Sequence, residues 1–269
     1  MLQKTFSISS YGGTDIGYVR KLNEDFWGYL KDRPFYALAD GMGGHLAGEI
    51  ASKQTVDYLL KAIDELFTES QKKWRIKELA SMTRLLVENA NTLIYNLGIK
   101  HQHLKGMGTT LCTLHFHENQ LIYSHVGDSR IYRFRKNELK QLTSDHSKQI
   151  EEKIKALKNI KRTRRVLTRA IGPLRDVDVE VQTEKIKEND LYLMCSDGLT
   201  THLSEFEIQE VLNKKFNLQE LTSELIQSAK LKGGRDNITV VLAKVMNSEY
   251  EKKTLFRLQR NHSPSSKSY

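Results

Sequence analysis

The segment Tyr36–Ser52, YALADGMGGHLAGEIAS, passes from apolar residues through one acid, Asp40, into four glycines between Gly41 and Gly48. An acid at the mouth of a strand, followed by backbone free to take unusual φ/ψ values, suits a metal or phosphate site. It equally suits a tight turn, in which the Asp side chain caps its own backbone. Where the other acids fall separates the two readings.

Beyond the glycines the apolar residues recur at helical spacing: Val56, Leu59, Leu60, Ile63, Leu66 and Phe67, then Leu79, Met82, Leu86, Leu93 and Leu97. Two long amphipathic helices are expected there. The period then changes to two in TTLCTLHFH, QLIYSHVG and SRIYRFR, short runs that read as an antiparallel meander with a turn at Gly127-Asp128. DVDVEVQTEKI and DLYLMCS read as a further strand pair. Ser204 with Glu207 three residues on makes a capping box before the helical SEFEIQEVL, and a second helix over Leu218 to Lys230 and a final strand NITVVLAKV follow. No internal repeat is present. Long helices covering runs of antiparallel strands imply an α+β layered protein, because every sheet face and helix stripe must be buried against something.

Hydrophobic residues make up 39% of the 269 positions, enough for a real core rather than a disordered chain. No run of 18 apolar residues exists, and MLQKTFSISSYGG lacks the plan of a signal peptide. The expectation is a cytoplasmic monomer with no membrane insertion. Cys112 and Cys195 sit inside apolar runs and read as small buried hydrophobes, not as a disulfide or a zinc site. Lys+Arg 42 against Asp+Glu 33 gives a net charge of +9, concentrated in Lys153 to Arg165 and in the polar tail past about Asn247. Without interleaved aromatics or a nucleic-acid-binding module, this surplus reads as a solvated, substrate-steering surface with no specific nucleic-acid partner. Residues 248–269 are expected to be a basic, disordered tail behind a domain of residues 1–247.

Five aspartates stand at strand ends beside Gly, Ser or Asn: Asp25, Asp40, Asp128, Asp197 and Asp236. Any one alone would be a turn former. Five together would repel and raise one another's pKa unless cations neutralised them, so convergence would imply divalent metal. Oxygen ligands without a His or Cys cluster suit Mg²⁺ or Mn²⁺. Two such ions a few ångströms apart can activate a water and clamp a phosphoryl oxygen. Arg20, five residues before Asp25, carries a planar guanidinium able to grip two phosphate oxygens.

GYVRKLNEDF, YALADGMGGHLAGEIAS, GMGTTL, SHVGDSRIYRF, LTSDHS, RVLTRAIG, YLMCSDGLT and GGRDNITVVL, in that order from about Ser9 to Val245, resemble the motif series of the metal-dependent protein serine/threonine phosphatases of type 2C, the PPM family, in its bacterial branch. The resemblance implies a four-layer α-β-β-α sandwich of two antiparallel sheets flanked by helices, with the metal channel between the sheets at one end. It implies two Mn²⁺ or Mg²⁺ ions: Asp25, Asp197 and Asp236 at the first, Asp40 bridging, and the Gly41 carbonyl at the second. It makes Arg20 the phosphate holder and a metal-bridged hydroxide the in-line nucleophile, without a phosphoenzyme intermediate. Asp128 resembles the ligand of a third, weaker ion. Thr201 stands where many members carry a carboxylate, which takes one ligand from that third site. Between LTSDHS and RVLTRAIG the family places a flap, here the lysine-rich KQIEEKIKALKNIKRT.

His45 is read either as a residue near the site or as a cap of the following helix, and His146 as a structural hydrogen-bonding residue, so no general acid is assigned. The expected substrates are phosphorylated proteins, and the expected counterpart is a Ser/Thr kinase or its targets. Two other readings compete. In one, the fold is a silent binding module that has lost its metals, which the intact ligand set opposes. In the other, the basic segments bind nucleic acid, and metal removal would leave that binding intact.

Overall fold

The structure is a computed structural model that describes residues 6–43, 46–69, 72–153 and 161–247. His45, the middle of the lysine-rich flap and the tail 248–269 lie outside the described residues.

In chain order the elements are β1 (Phe6–Asp15), β2 (Asp25–Leu30), β3 (Phe35–Met42), α1 (Leu46–Glu69), α2 (Ile76–Lys100), β4 (Gly108–Thr109), β5 (Leu111–His117), β6 (Gln120–Val126), β7 (Arg130–Arg135), β8 (Glu138–Gln141), β9 (Ser147–Lys153), β10 (Lys161–Leu167), β11 (Glu180–Lys185), β12 (Leu191–Cys195), α3 (Asp197–Thr200), α4 (Glu205–Leu212), α5 (Leu218–Leu231) and β13 (Ile238–Asn247). One sheet runs β11-β6-β5-β3-β2, with β4 added on β3; the other runs β1-β13-β12-β7-β8. All their pairings are antiparallel.

Strand geometry explains the layering, because alternate side chains face opposite ways. In β3, Phe35, Ala37 and Ala39 pack toward α1 and α2, whereas Tyr36 and Leu38 meet the other sheet. In β13, Val241, Ala243 and Val245 meet that middle core, whereas Ile238, Val240 and Leu242 face α4 and α5. Three apolar cores therefore separate four layers, helices outside and sheets within, as the resemblance implies. Both faces of β3, β12 and β13 are buried, so FYALA, LYLMC and TVVLA read as near-continuous apolar runs rather than alternating ones. Cys112 and Cys195 are buried free thiols.

The helix expectations hold, including the Ser204–Glu207 capping box that opens α4. A second box, Asn217 with Glu220, opens α5; each cap is worth ~1 kcal/mol. Two strand expectations are corrected. The meander breaks after β6: at Gly127-Asp128 the chain leaves the β5–β6 sheet, and β7 pairs with β12 and β8 in the other one. A short link reads as a hairpin by length alone, but this one crosses the sandwich. Likewise β11 and β12 are not partners: β11 pairs β6, and β12 lies between β7 and β13. The crossing between them is fixed by buried Asp190, which accepts from Arg135 Nε and Nη2 at 2.6 Å each and from the Lys187 backbone N–H at 2.6 Å. The described ends of the flap form the hairpin β9–β10, in register from Ser147 opposite Leu167.

Candidate metal centre

Strand ends from both sheets deliver acids to one end of the sandwich. Asp25 and Asp40 are opposite each other in the β2–β3 register. Asp128 follows the crossing after β6, Asp197 opens α3 directly after β12, and Asp236 precedes β13. A cavity of about 290 Å³ is lined by Arg20, Glu24, Asp40, Gly41, Asp128, Asp197 and Asp236, with Met42, Gly43, Thr110, Leu167 and Asn237. Asp25 sits behind this lining and is buried. A larger groove of about 380 Å³ beside β1, α4 and α5 has no acid in its lining. Charge, not volume, marks the site.

Each position is held by backbone logic. The Asp40 N–H donates to Thr110 Oγ1 at 3.0 Å, and its carbonyl accepts from Thr110 N–H and Thr109 Oγ1, both at 2.8 Å. At Gly41 a Cβ would lie 2.1 Å from the Gly48 carbonyl oxygen and 2.7 Å from that of Glu24, so only glycine fits where three backbone segments meet. Asp25 Oδ2 accepts from Ser196 Oγ at 2.7 Å and Thr239 Oγ1 at 2.6 Å, joining the two sheets. Asn237, nearly fully buried, accepts the Glu24 N–H at 2.8 Å.

The electrostatics are those of a carboxylate cluster with Arg20 paired to Asp236 at its rim. Burial, then the charges of Asp25, Asp197, Asp236 and Asp128, pushes the Asp40 carboxyl well above the usual carboxylate range. Burial likewise raises Asp25 to about 6, against the lowering effect of its Thr239 and Ser196 bonds. Burial also raises Glu24. Two carboxylate oxygens, Asp25 Oδ1 and Glu24 Oε1, are buried with no hydrogen-bond donor reaching them. Arg20 Nη2 donates to Asp236 Oδ2 at 2.7 Å while its side chain stays half exposed at the cavity rim. Buried oxygens without donors, in a cluster of carboxylates that raises Asp40, are the donor set a hard divalent cation satisfies. The residues present therefore fit the metal group.

The five aspartates, Arg20 and Gly41 are brought together as the sequence suggests. Thr201 is not in the lining; it ends α3, its N–H donating to Asp197 O at 2.8 Å. His146 is structural: Nδ1 accepts the Gly127 N–H at 3.2 Å, and Nε2 lies 2.9 Å from Glu180 Oε1. Sequence reasoning missed Glu24 and Asn237. The signal was their adjacency to Asp25 and Asp236, in NED and RDN.

The family described as Protein phosphatase 2C matches residues 17–243. The protein phosphatase PhpP of Streptococcus pneumoniae is 36% identical over 245 residues, covering 88% of this chain and 96% of that protein. Among solved structures, the Streptococcus agalactiae serine/threonine phosphatase superposes with a TM-score of 0.76 at 33% identity, covering 88% of this chain and 99% of that one. The catalytic domain of the serine/threonine protein phosphatase PstP, in complex with two manganese ions, does so with a TM-score of 0.72 at 32% identity, covering 90% of this chain and 100% of that one. The chain belongs to the protein phosphatase 2C family, in its bacterial serine/threonine branch.

Proposed function

We propose that this protein hydrolyses phosphoserine and phosphothreonine in proteins at the aspartate cavity, with two Mn²⁺ or Mg²⁺ ions. The observation that carries the reading is a cavity lined by four aspartates with Asp25 buried behind them, where burial, then the other four charges, holds Asp40 high. Asp25, Asp197 and Asp236 would hold one ion, Asp40 would lie between the two, and the Gly41 carbonyl would serve the second. Bound there, the ions would supply a hydroxide near neutral pH for in-line attack on phosphorus and would polarise the phosphoryl oxygens.

The chain's own groups do the positioning. Ser196 and Thr239 fix the Asp25 carboxylate by donating to one oxygen, which leaves the other for a cation. Arg20, half exposed and raised above its ordinary pKa first by its bond to Asp236, stays cationic and presents its remaining N–H groups to a phosphate. Glu24 adds an acid beside Gly41. Asp128 would hold a third ion, without help from Thr201. A protein kinase acting on Ser/Thr is the natural opposing activity, and the basic surface would draw acidic phosphoproteins to the cavity.

Hydrolysis of a phosphothreonine peptide with Mn²⁺, Mg²⁺ or EDTA, run beside Asp40→Asn and Asp236→Asn, tests this reading. Turnover with Mn²⁺ that both variants lose is expected. Absence of turnover with any metal, from folded protein, overturns the reading.

A further inference from the structure

The loop between β1 and β2 carries Arg20 into the cavity and exposes an unusual set of neighbours. Ile16, Tyr18, Val19 and Leu22 are 38%, 65%, 65% and 39% exposed, four large apolar side chains within seven residues. Lone exposed apolar residues need no account, but a contiguous set on a soluble protein marks a contact surface.

The exposure does not come from slack backbone. Asn237 Nδ2 donates to the carbonyls at both ends of the loop, Ile16 O at 3.1 Å and Leu22 O at 3.0 Å. The Tyr18 N–H donates to Gly234 O at 2.7 Å, and the Gly17 N–H to Asp15 Oδ1 at 2.8 Å. Gly17 has φ +77°, and a Cβ there would lie 2.4 Å from the Asp236 carbonyl oxygen, so the loop rests directly on the corner that carries an acid of the cavity. Lys230 Nζ lies 5.0 Å from the centre of the Tyr18 ring, further restricting it. A surface fixed in advance loses little freedom when it is covered.

We propose that loop 16–22 is a docking rim for the stretch of phosphoprotein that flanks the phosphorylated residue, and that it selects apolar side chains there. The inference rests on the phosphatase reading. A phosphate gripped by Arg20 leaves the residues on either side of the phosphoamino acid about 3.5 Å per position away, which keeps them over the loop in which Arg20 stands. Lys21, also exposed, adds positive charge beside the same path and favours the negatively charged phosphopeptide. The occupant is therefore a substrate segment with an apolar residue next to phosphoserine or phosphothreonine.

The test compares three substrates, p-nitrophenyl phosphate, a phosphothreonine peptide with leucine on both sides of the phosphoresidue, and the same peptide with serine there. The protein carries Mn²⁺ and is either unaltered or Tyr18→Ser/Val19→Ser. The unaltered protein is expected to favour the leucine peptide about five- to tenfold in kcat/KM. The double variant is expected to lose that preference through KM, with p-nitrophenyl phosphate hydrolysis within twofold of the unaltered protein. Equal kcat/KM for the two peptides with the unaltered protein overturns the rim alone. An equal loss on all three substrates in the variant also overturns it, since the side chains would then serve Arg20. A change in sedimentation of the variant with the peptide preference intact assigns the surface to a second copy and overturns it too. No hydrolysis of p-nitrophenyl phosphate by the unaltered protein overturns the phosphatase reading and the rim with it.

Discussion

Among the described residues, two clusters of potential metal ligands differ in what surrounds them. In the aspartate cavity burial, then the neighbouring acids, pushes the Asp40 carboxyl up, and two buried carboxylate oxygens have no donor. In the other cluster, ligand atoms of His125, His146 and Glu180 lie within 4.8 Å of one another, a spacing a metal could bridge. There, however, the cation's place is taken. Arg169 Nη1 lies 3.2 Å from Glu180 Oε1 and its Nη2 lies 3.0 Å from Asp178. His146 already uses Nδ1 to accept the Gly127 N–H, so its Nε2 carries the proton and turns toward Glu180. A metal at Nε2 would force Nδ1–H against another N–H. Proximity of ligand atoms is thus a weak sign of a metal site; charge and lone pairs left uncompensated by the protein are the strong one.

The contrast breaks most sharply at Asp25. Asp25→Asn should lower activity by more than about 10² and abolish any rise in thermal midpoint on adding Mn²⁺. The same variant should stabilise the metal-free protein at pH 7. Because the folded-state pKa of Asp25 is raised, its contribution is full below about 3.8 and lost as pH rises through about 6, so at pH 7 the ionised form strains the fold. Calorimetry with and without EDTA reads both effects, and a less stable metal-free variant would contradict them. Ser196→Ala and Thr239→Val remove the donors that orient Asp25; a ten- to hundredfold loss of Mn²⁺ affinity by titration calorimetry is expected.

The second cluster should behave oppositely. Glu180→Gln is expected to cost up to about 1 kcal/mol of stability, seen in urea unfolding, through the loss of charge beside Arg169 and His146 at a part-exposed, solvent-screened position, with the metal content of the loaded protein unchanged. A fall in metal stoichiometry would erase the distinction. A separate effect, read only on the acid side, concerns the buried His115. Burial lowers the His115 pKa from 6.5 to about 3, so its contribution to stability is full above 6.5 and lost as pH falls toward 3. His115→Phe should flatten the acid-side slope of stability by up to about 1.4 kcal/mol per pH unit.

Much of this was legible along the chain. Helical period placed α1, α2, α4 and α5, and the uninterrupted apolar run ITVVL placed β13. The five acids announced themselves because each borders an apolar run beside Gly, Ser or Asn. β1 escaped notice because FSISSYGGTD alternates weakly and carries two glycines, one with the Trp27 ring where a Cβ would be. β8 to β10 escaped because their charged runs have no apolar period.

By itself, the sequence determined the class of elements, the acid set and the family, since these rest on local period and on residue chemistry at fixed positions. Only the tertiary structure decided which sheet each strand joins, that Arg20 leans on Asp236, that Glu24 and Asn237 belong to the site, and that His146 is spoken for. The physical reason is that strand partners and charge compensation depend on groups distant along the chain: Ser196 and Thr239 reach Asp25 across 171 and 214 positions, and no local pattern encodes such a meeting.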